Sequence, residues 1–319
     1  MAKRKALVTG GAGFIGSHLC NKLTKNCYEV IAFDDMSNGS GEKNLSKNVK
    51  LVRGDILDVK KFRNVCKKVD VVFHLAVKPL VMSFNKPDEV VRVNDFGTYL
   101  IAKTCVELKQ KLVHVSSSEA YGSAVSFPMK EEHPLLPSTI YASSKAASEL
   151  YVRGFEKTHG LKMVIIRPFN SFGEFMREDV YGAVFPKFFD RLNKKKPCKI
   201  TGTGKQTRDF TYVEDTCEGI MLADQTKQAI GDTFNIAQGK ETSINKIAKL
   251  MTAEYCDITG KNIPSHFVYT KLRPGDVMRH LADISHAKKI LGYKPKVSMK
   301  DGLTKFIEWS LNESTIRKR

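Results

Sequence analysis

No two cysteines in this chain stand in a C-x-x-C pair, and the seven present (Cys20, Cys27, Cys66, Cys105, Cys198, Cys217, Cys256) are odd in number and scattered. That spacing speaks against a disulfide framework and against a zinc site, so no metal is expected and a reducing, cytoplasmic setting is. No apolar run is long enough to span a bilayer. The basic start is followed by a short hydrophobic stretch that glycines interrupt, which does not read as a signal peptide. Acidic residues are in deficit: 34 Asp and Glu face 52 Lys and Arg, a formal charge of +18. An anionic partner would suit that balance. The basic residues are nevertheless spread along the chain, and the densest run, Lys194-Lys195-Lys196, falls where a helix would end and complements its dipole. With no nucleic-acid-binding signature, no internal repeat and no low-complexity linker, the charge reads as a solvated surface plus a few phosphate contacts.

What is present begins at residue 6. Ala6-Leu7-Val8 runs into Thr9-Gly10-Gly11-Ala12-Gly13-Phe14-Ile15-Gly16, a glycine spacing that suits a strand-to-helix turn holding a pyrophosphate. The free N–H groups and positive end of the following helix would face the anion. A second apolar run, Tyr28 to Phe33, ends at Asp34, eighteen residues past Gly16, where a carboxylate could accept hydrogen bonds from an adenosine ribose and repel a 2′-phosphate. NAD is therefore expected rather than NADP. The other reading makes Asp34 a turn residue ahead of Asp35-Met36-Ser37.

Strands are expected at 5–9, 28–33, 49–53, 70–75, 111–116 and 162–167, with helices between them, which gives an α/β, Rossmann-type, doubly wound parallel sheet. Residues 140–159 show helical spacing and stop at Gly160. Phe234-Asn235-Ile236-Ala237 reads as a late return to the sheet. An NAD-binding domain over 1–168, with a return at about 205–240, would interleave with a smaller, loop-rich substrate lobe at 169–204 and 241–319.

Tyr141 and Lys145 stand four residues apart and share a helix face. Lys145 could then lower the pKa of Tyr141 and make it a base toward a substrate hydroxyl as hydride leaves. Ser116-Ser117-Ser118-Glu119 lies at the end of an expected strand, where ligands sit in open parallel sheets, and the Ser117 hydroxyl could share the proton. A plainer account has the serines capping the strand end and Glu119 as a surface carboxylate.

Taken in order, the glycine turn, Gly54-Asp55-Ile56, His74-Leu75-Ala76, Asn94 with Gly97-Thr98, the Ser-Glu segment, Tyr-x-x-x-Lys, Arg167-Pro168-Phe169-Asn170 and Gln206-Thr207-Arg208-Asp209-Phe210 resemble the extended short-chain dehydrogenase/reductase family over essentially the whole chain. The resemblance implies enzymes that modify nucleoside-diphosphate sugars. It implies cofactor contacts at Gly10, Gly13, Phe14, Ile15, Gly16, Asp34, Asp35, Asp55, Ile56, Leu75, Ala76, Asn94, Tyr141 and Lys145, and catalysis by Ser117, Tyr141 and Lys145. Asn170, Arg208 and Arg273 would hold the sugar nucleotide. Asn94 could instead be a helix-interior residue bonding the backbone, and Arg208 an ion-pair partner of Asp209 or Asp215.

Oxidation at C4 by NAD is the shared half-reaction. A 4,6-dehydratase then needs a base for the C5 proton, and Glu119, beside Ser118, is the residue of the segment able to serve. The segment departs from the Thr-Asp-Glu of dTDP-glucose dehydratases, since Ser118 stands where an Asp would protonate the leaving hydroxyl. The reading leans to a dehydratase, with a 4-epimerase next, a UDP-glucuronate decarboxylase after it, and an NAD-binding scaffold as the different class. A further departure is Val77-Lys78-Pro79-Leu80, where relatives more often carry Ala-Gln-Ala-Ser. A homodimer through helices near 90–108 and 140–158 is also implied.

Overall fold

The structure, a computed structural model, describes residues 3–37, 41–176, 184–263, 266–271 and 277–316. Seven strands form one parallel sheet: β1 (Arg4–Thr9), β2 (Tyr28–Asp34), β3 (Lys50–Arg53), β4 (Val71–His74), β5 (Lys111–Val115), β6 (Met163–Pro168) and β7 (Thr233–Ile236), in the order β7-β6-β5-β4-β1-β2-β3. The sheet is a Rossmann-type α/β fold, as the alternation of apolar runs and helical patterns implied. The strand runs are apolar on both faces because helices cover both faces. Ala6, Val8, Val30, Ala32, Val71 and Phe73 point into one core, whereas Leu7, Ile31, Phe33 and Val72 point into the other. This is the two-residue alternation of a pleated strand.

On the second face lie α2 (Val59–Cys66), α3 (Gly97–Leu108) and α4 (Ile140–His159). On the first lie α1 (Phe14–Lys25) and, later in the chain, α5 (Val184–Asn193), α6 (Val213–Gln225), α7 (Ile244–Thr259), α8 (Ser285–Leu291) and α9 (Met299–Ile316). Helix α4 starts where Thr139 accepts the Ala142 N–H and stops at Gly160, whose left-handed backbone (φ +67°) caps it. The chain leaves β3 at one edge and re-enters at β4 beside β1. The strand order therefore reverses between β1 and β4, and a crevice opens at their carboxyl ends, where ligands bind in such sheets.

The later part of the chain differs from the loop-rich lobe expected of it. Helices α5, α7, α8 and α9 carry it, and Phe185, Phe188, Phe189 and Leu192 of α5 are buried in a core continuous with one face of the sheet. Their i, i+3, i+4, i+7 spacing is itself a helix signal. Three short two-stranded ribbons pair Ser171–Phe172 with Thr211–Tyr212, Thr207–Asp209 with Glu241–Ser243, and Lys199–Thr201 with Val268–Thr270. All seven cysteines are free thiols. Among the described residues no helix is long and apolar enough to cross a membrane.

Candidate active site

A cavity of about 740 Å³ occupies the crevice between β1 and β4. Its wall beside the Gly10 turn is largely main chain. Gly10 turns at φ +66°, and a Cβ there would stand 2.8 Å from the Ala76 nitrogen; a Cβ on Gly16 would stand 2.0 Å from the Gly10 carbonyl oxygen. Both positions therefore exclude any side chain. Helix α1 starts directly after Gly13 with no acidic residue in its first turn, and Gly13, Phe14, Ile15 and Gly16 all line the cavity. A helix end of this kind is suited to an anion.

Asp34 lines the same wall, with one oxygen accepting the Ala12 N–H at 2.9 Å and the other the Met36 N–H at 2.8 Å. Burial pushes its carboxyl above the usual range, against those two amides. The neighbouring Asp35 is also buried in part, yet its carboxyl is held low by the Ser37 hydroxyl and amide and by the Lys78 ammonium at 3.1 Å. Asp55, Ile56, Leu75 and Ala76 complete this end.

Asn94 is not on the cavity surface. Its amide is spent on the backbone of Lys78, accepting that residue's N–H at 2.7 Å and donating to its carbonyl at 2.8 Å, and it also donates to the Ser144 hydroxyl at 3.1 Å. The structure thus shows backbone bonding by Asn94, to the Lys78 main chain rather than within its own helical turn. It acts behind the wall, from a π-helical turn (Val91–Phe96) that leads into α3.

The other end of the cavity is made of side chains. Ser116, Ser117, Ser118 and Glu119 follow β5; Tyr141 and Lys145 come from α4; Pro168 ends β6, and Asn170 and Ser171 follow it. The Ser117 hydroxyl accepts the Glu119 N–H at 3.2 Å, so it is both a cap and a cavity residue. Burial pushes the Tyr141 phenol up to about 12, the Ser117 hydroxyl opposing and the Glu119 charge adding to the rise. Lys145 donates to the Val115 carbonyl at 2.8 Å, and burial lowers its ammonium to about 8, with the Glu149 carboxylate opposing. Burial thus outweighs any lowering of the Tyr141 pKa by Lys145. The opposing influence on Tyr141 is Ser117, and the ammonium is engaged by a strand-end carbonyl. Lys145 still holds a cation at neutral pH one helical turn from the phenol.

Of the three expected substrate residues, Asn170 lines the cavity and donates to the Asp209 carbonyl at 3.3 Å. Arg208 stands outside the lining, on the Thr207–Asp209 strand, where its guanidinium donates to the Thr207 carbonyl and its charge acts on the buried His280. Arg273 lies outside the described residues.

Sequence reasoning missed the network that holds α4. Arg167, at the end of β6, makes a buried bidentate pair with Glu149 of α4 (2.6 and 3.0 Å) and donates to the Tyr121 hydroxyl, which in turn donates to Asn235 of β7. Glu149 falls four residues after Lys145 on one helix face, a spacing that could have flagged it. Lys78 was noticed as a departure, but its partners were not foreseeable.

The residues fit a dinucleotide. Beside the glycine cradle, the buried Ser116 hydroxyl on the cavity wall has no hydrogen-bond partner among the described residues and is available to a polar ligand. Fold and cavity together define a dinucleotide-dependent enzyme of the Rossmann type. Residues 7–306 match the GDP-mannose 4,6 dehydratase family model, and the chain belongs to that family, within the extended short-chain dehydrogenase/reductases. It is similar to the human dTDP-D-glucose 4,6-dehydratase, at 33% identity over 96% of this chain and 89% of the relative. Among solved structures it is similar to the UDP-glucose 4-epimerase of Thermotoga maritima, determined with UDP-glucose (TM-score 0.90, 31% identity, 97% of this chain and 99% of that one). It is also similar to the dTDP-glucose 4,6-dehydratase of Streptomyces venezuelae, determined with NAD (TM-score 0.88, 30% identity, 98% of each chain). The family is one of NAD-dependent nucleotide-sugar enzymes, and its members include both dehydratases and epimerases.

Proposed function

We propose that this chain is an NAD-dependent nucleoside-diphosphate-hexose 4,6-dehydratase. The observation that carries the reading is Glu119, a carboxylate on the same cavity wall as Ser117 and Tyr141 and close enough to Tyr141 for its charge to act on the phenol. When bound, NAD supplies a reversible hydride acceptor. Tyr141 takes the proton of the sugar 4-hydroxyl, relayed by Ser117, while the Lys145 cation favours the phenolate. The 4-keto group so formed acidifies C5, and Glu119 removes the C5 proton. The C6 hydroxyl leaves as water, protonated through Ser118 or a bound water, and the protonated Glu119 gives its proton back to C5 as C6 is reduced. Asn170, Arg208 and Arg273 hold the sugar nucleotide, arginine because its planar fork matches phosphate oxygens.

A 4-epimerase is the second reading, favoured by one observation: Ser118 lines the cavity where a dehydratase of the Thr-Asp-Glu type carries its acid. Mass analysis of products from UDP-, GDP-, dTDP- and CDP-sugars separates the two. A product lighter by one water is expected, and an isobaric product would overturn the dehydratase. In Glu119→Gln, dehydration should fall about 10²- to 10⁴-fold while reduced cofactor still accumulates on the protein; near wild-type dehydration would remove Glu119 from the mechanism.

The active form is a homodimer in this proposal. Val91, Phe96, Ile140, Leu150 and Tyr151 are exposed on the outer faces of the 91–108 and 140–159 helical segments, an apolar patch suited to the same patch on a second copy.

A further inference from the structure

Lysines that are scattered along the chain are gathered by the fold. Crossover helices run against the strands they join, so strand starts and helix C-termini share one end of the molecule, opposite the crevice. At the helix ends Lys25 closes α1, Lys67 and Lys68 follow α2, and Lys109 follows α3. At the strand starts stand Lys3 and Lys5 of β1, Lys50 of β3 and Lys162 just before β6. All eight are exposed. The strands concerned lie within the run β3-β2-β1-β4-β5-β6, about 24 Å across at the usual strand spacing, and helix ends on both faces of the sheet widen the row into a surface. Helix dipoles account for a lysine at a helix end. They do not account for Lys3, Lys50 and Lys162, because a sheet carries little net dipole.

Within this surface is a hollow of about 720 Å³ lined by Lys3, Lys5, Lys50, Lys67 and Lys68, with Glu29 and Asp70 as its carboxylates. Both carboxylates attend to one residue: Glu29 stands 3.7 Å from the Lys5 ammonium, and Asp70 accepts the Lys5 main-chain N–H at 2.8 Å. Lys3, Lys50, Lys67 and Lys68 have no ion-pair partner among the described residues. Two further carboxylates at this end are matched already, Asp224 by Arg4 and Lys111 and Glu107 by Arg63.

We propose that the amino end of the sheet is a docking surface for an anionic lipid bilayer, with a phosphate-bearing headgroup seated in the hollow. The breadth of the cationic surface matches a planar partner better than a single strand of nucleic acid. The exposed aromatic residues point the same way: Phe84, Phe96, Phe127, Tyr151 and Tyr269 all belong to other parts of the molecule, so no base-stacking platform accompanies the lysines. Among the described residues the exposed large apolar side chains at this end are confined to Ile230, just before β7, so attachment is electrostatic and reversed by salt. The crevice opens at the opposite end and stays accessible on a bilayer, whichever net reaction it carries out.

The test is cosedimentation of the full-length protein with vesicles of phosphatidylcholine alone and of phosphatidylcholine mixed with phosphatidylglycerol. Binding is expected to the mixed vesicles only, and to be lost between about 0.1 M and about 0.5 M sodium chloride. Lys50→Glu, Lys67→Glu and Lys68→Glu together should lower the partition about 10²-fold or more, each lysine near such a surface being worth about fivefold. Lys246→Glu, Lys249→Glu and Lys294→Glu together make the same change of charge at exposed sites on α7 and after α8, and should leave most of the binding in place. Turnover reports whether the first triple variant is folded, since its lysines lie outside the catalytic cavity. If it is not, Lys67→Gln with Lys68→Gln should lower the partition about 25-fold. Equal losses in the two triple variants, or in that pair and the α7 control, would reduce the effect to overall charge and overturn the docking surface. So would wild-type protein that ignores the mixed vesicles, or that is held more tightly by RNA than by them. Release by inorganic phosphate at an ionic strength where sodium chloride does not release the protein would make the hollow a site for a free anion, and would also overturn the bilayer.

Discussion

The two ends of the cavity are built by different means. The end proposed for adenosine comes largely from one stretch, residues 10–79, in which glycines, helix amides and two carboxylates anchored on amides do the shaping. The end proposed for the sugar is assembled from side chains on three separate segments, at 116–119, 141–145 and 168–171. Main-chain sites depend on where a Cβ cannot fit, and the glycine code states that directly. Side-chain sites depend on which strand ends the fold sets next to each other. Relatives of about equal similarity include a dTDP-D-glucose 4,6-dehydratase and a UDP-glucose 4-epimerase.

The sharpest break of this contrast is at Tyr141. Tyr141→Phe removes the proton acceptor and leaves the glycine cradle whole, so turnover should fall about 10³-fold while the NAD content of the protein stays unchanged, as measured by steady-state rates and cofactor extraction. Loss of bound NAD would show that the two ends are not separable.

Next in size is the seam between them. Arg167 and Glu149 form a pair almost wholly out of solvent, with side chains 3% and 0% exposed. Arg167→Met leaves a buried carboxylate unpaired in the helix that carries Tyr141 and Lys145, and should cost about 3–5 kcal/mol in denaturant unfolding. A loss near that of a surface pair would mean that α4 is held by packing alone.

The smallest effect is a pH dependence confined to the sugar end. Burial sets the Lys145 ammonium at about 8, below the ordinary lysine value, so the cation is present below that pH and is lost as the pH rises through it. Turnover should therefore decline above about pH 8, approaching tenfold per unit, with NAD affinity little changed. In Lys145→Arg the decline should disappear from this range, because a guanidinium keeps its charge. An unchanged alkaline limb would assign it to another group.

Legibility followed the same division. The glycine turn, Asp34, the strands at 28–33 and 111–116 and the helix 140–159 with its Gly160 stop could be read because each rests on local chemistry: a missing Cβ, a cap, a period. Asn94 was readable as polar and interior but not as the clamp on Lys78, since its partners lie 16 and 50 residues away. The helical lobe after residue 183 was underread because α5 packs onto one face of the sheet, and the ends of its aromatic spacing gave no cap of their own to mark it. The spacing of Tyr141 and Lys145 on a helix reports a shared face and says nothing of their burial or of the Val115 carbonyl that engages the ammonium.

By itself, then, the sequence determined the parallel α/β architecture and the glycine turn between β1 and α1, which follow from short-range sterics and periodicity, and its ordered motifs carried the resemblance to the family. Only the tertiary structure decided which of those residues share a cavity, that Asn94 stands behind it, that Lys78 crosses it and that Arg167 secures the catalytic helix. Each of these depends on strands distant in the chain being brought side by side, and it is burial there that pushes the Tyr141 pKa up and the Lys145 pKa down.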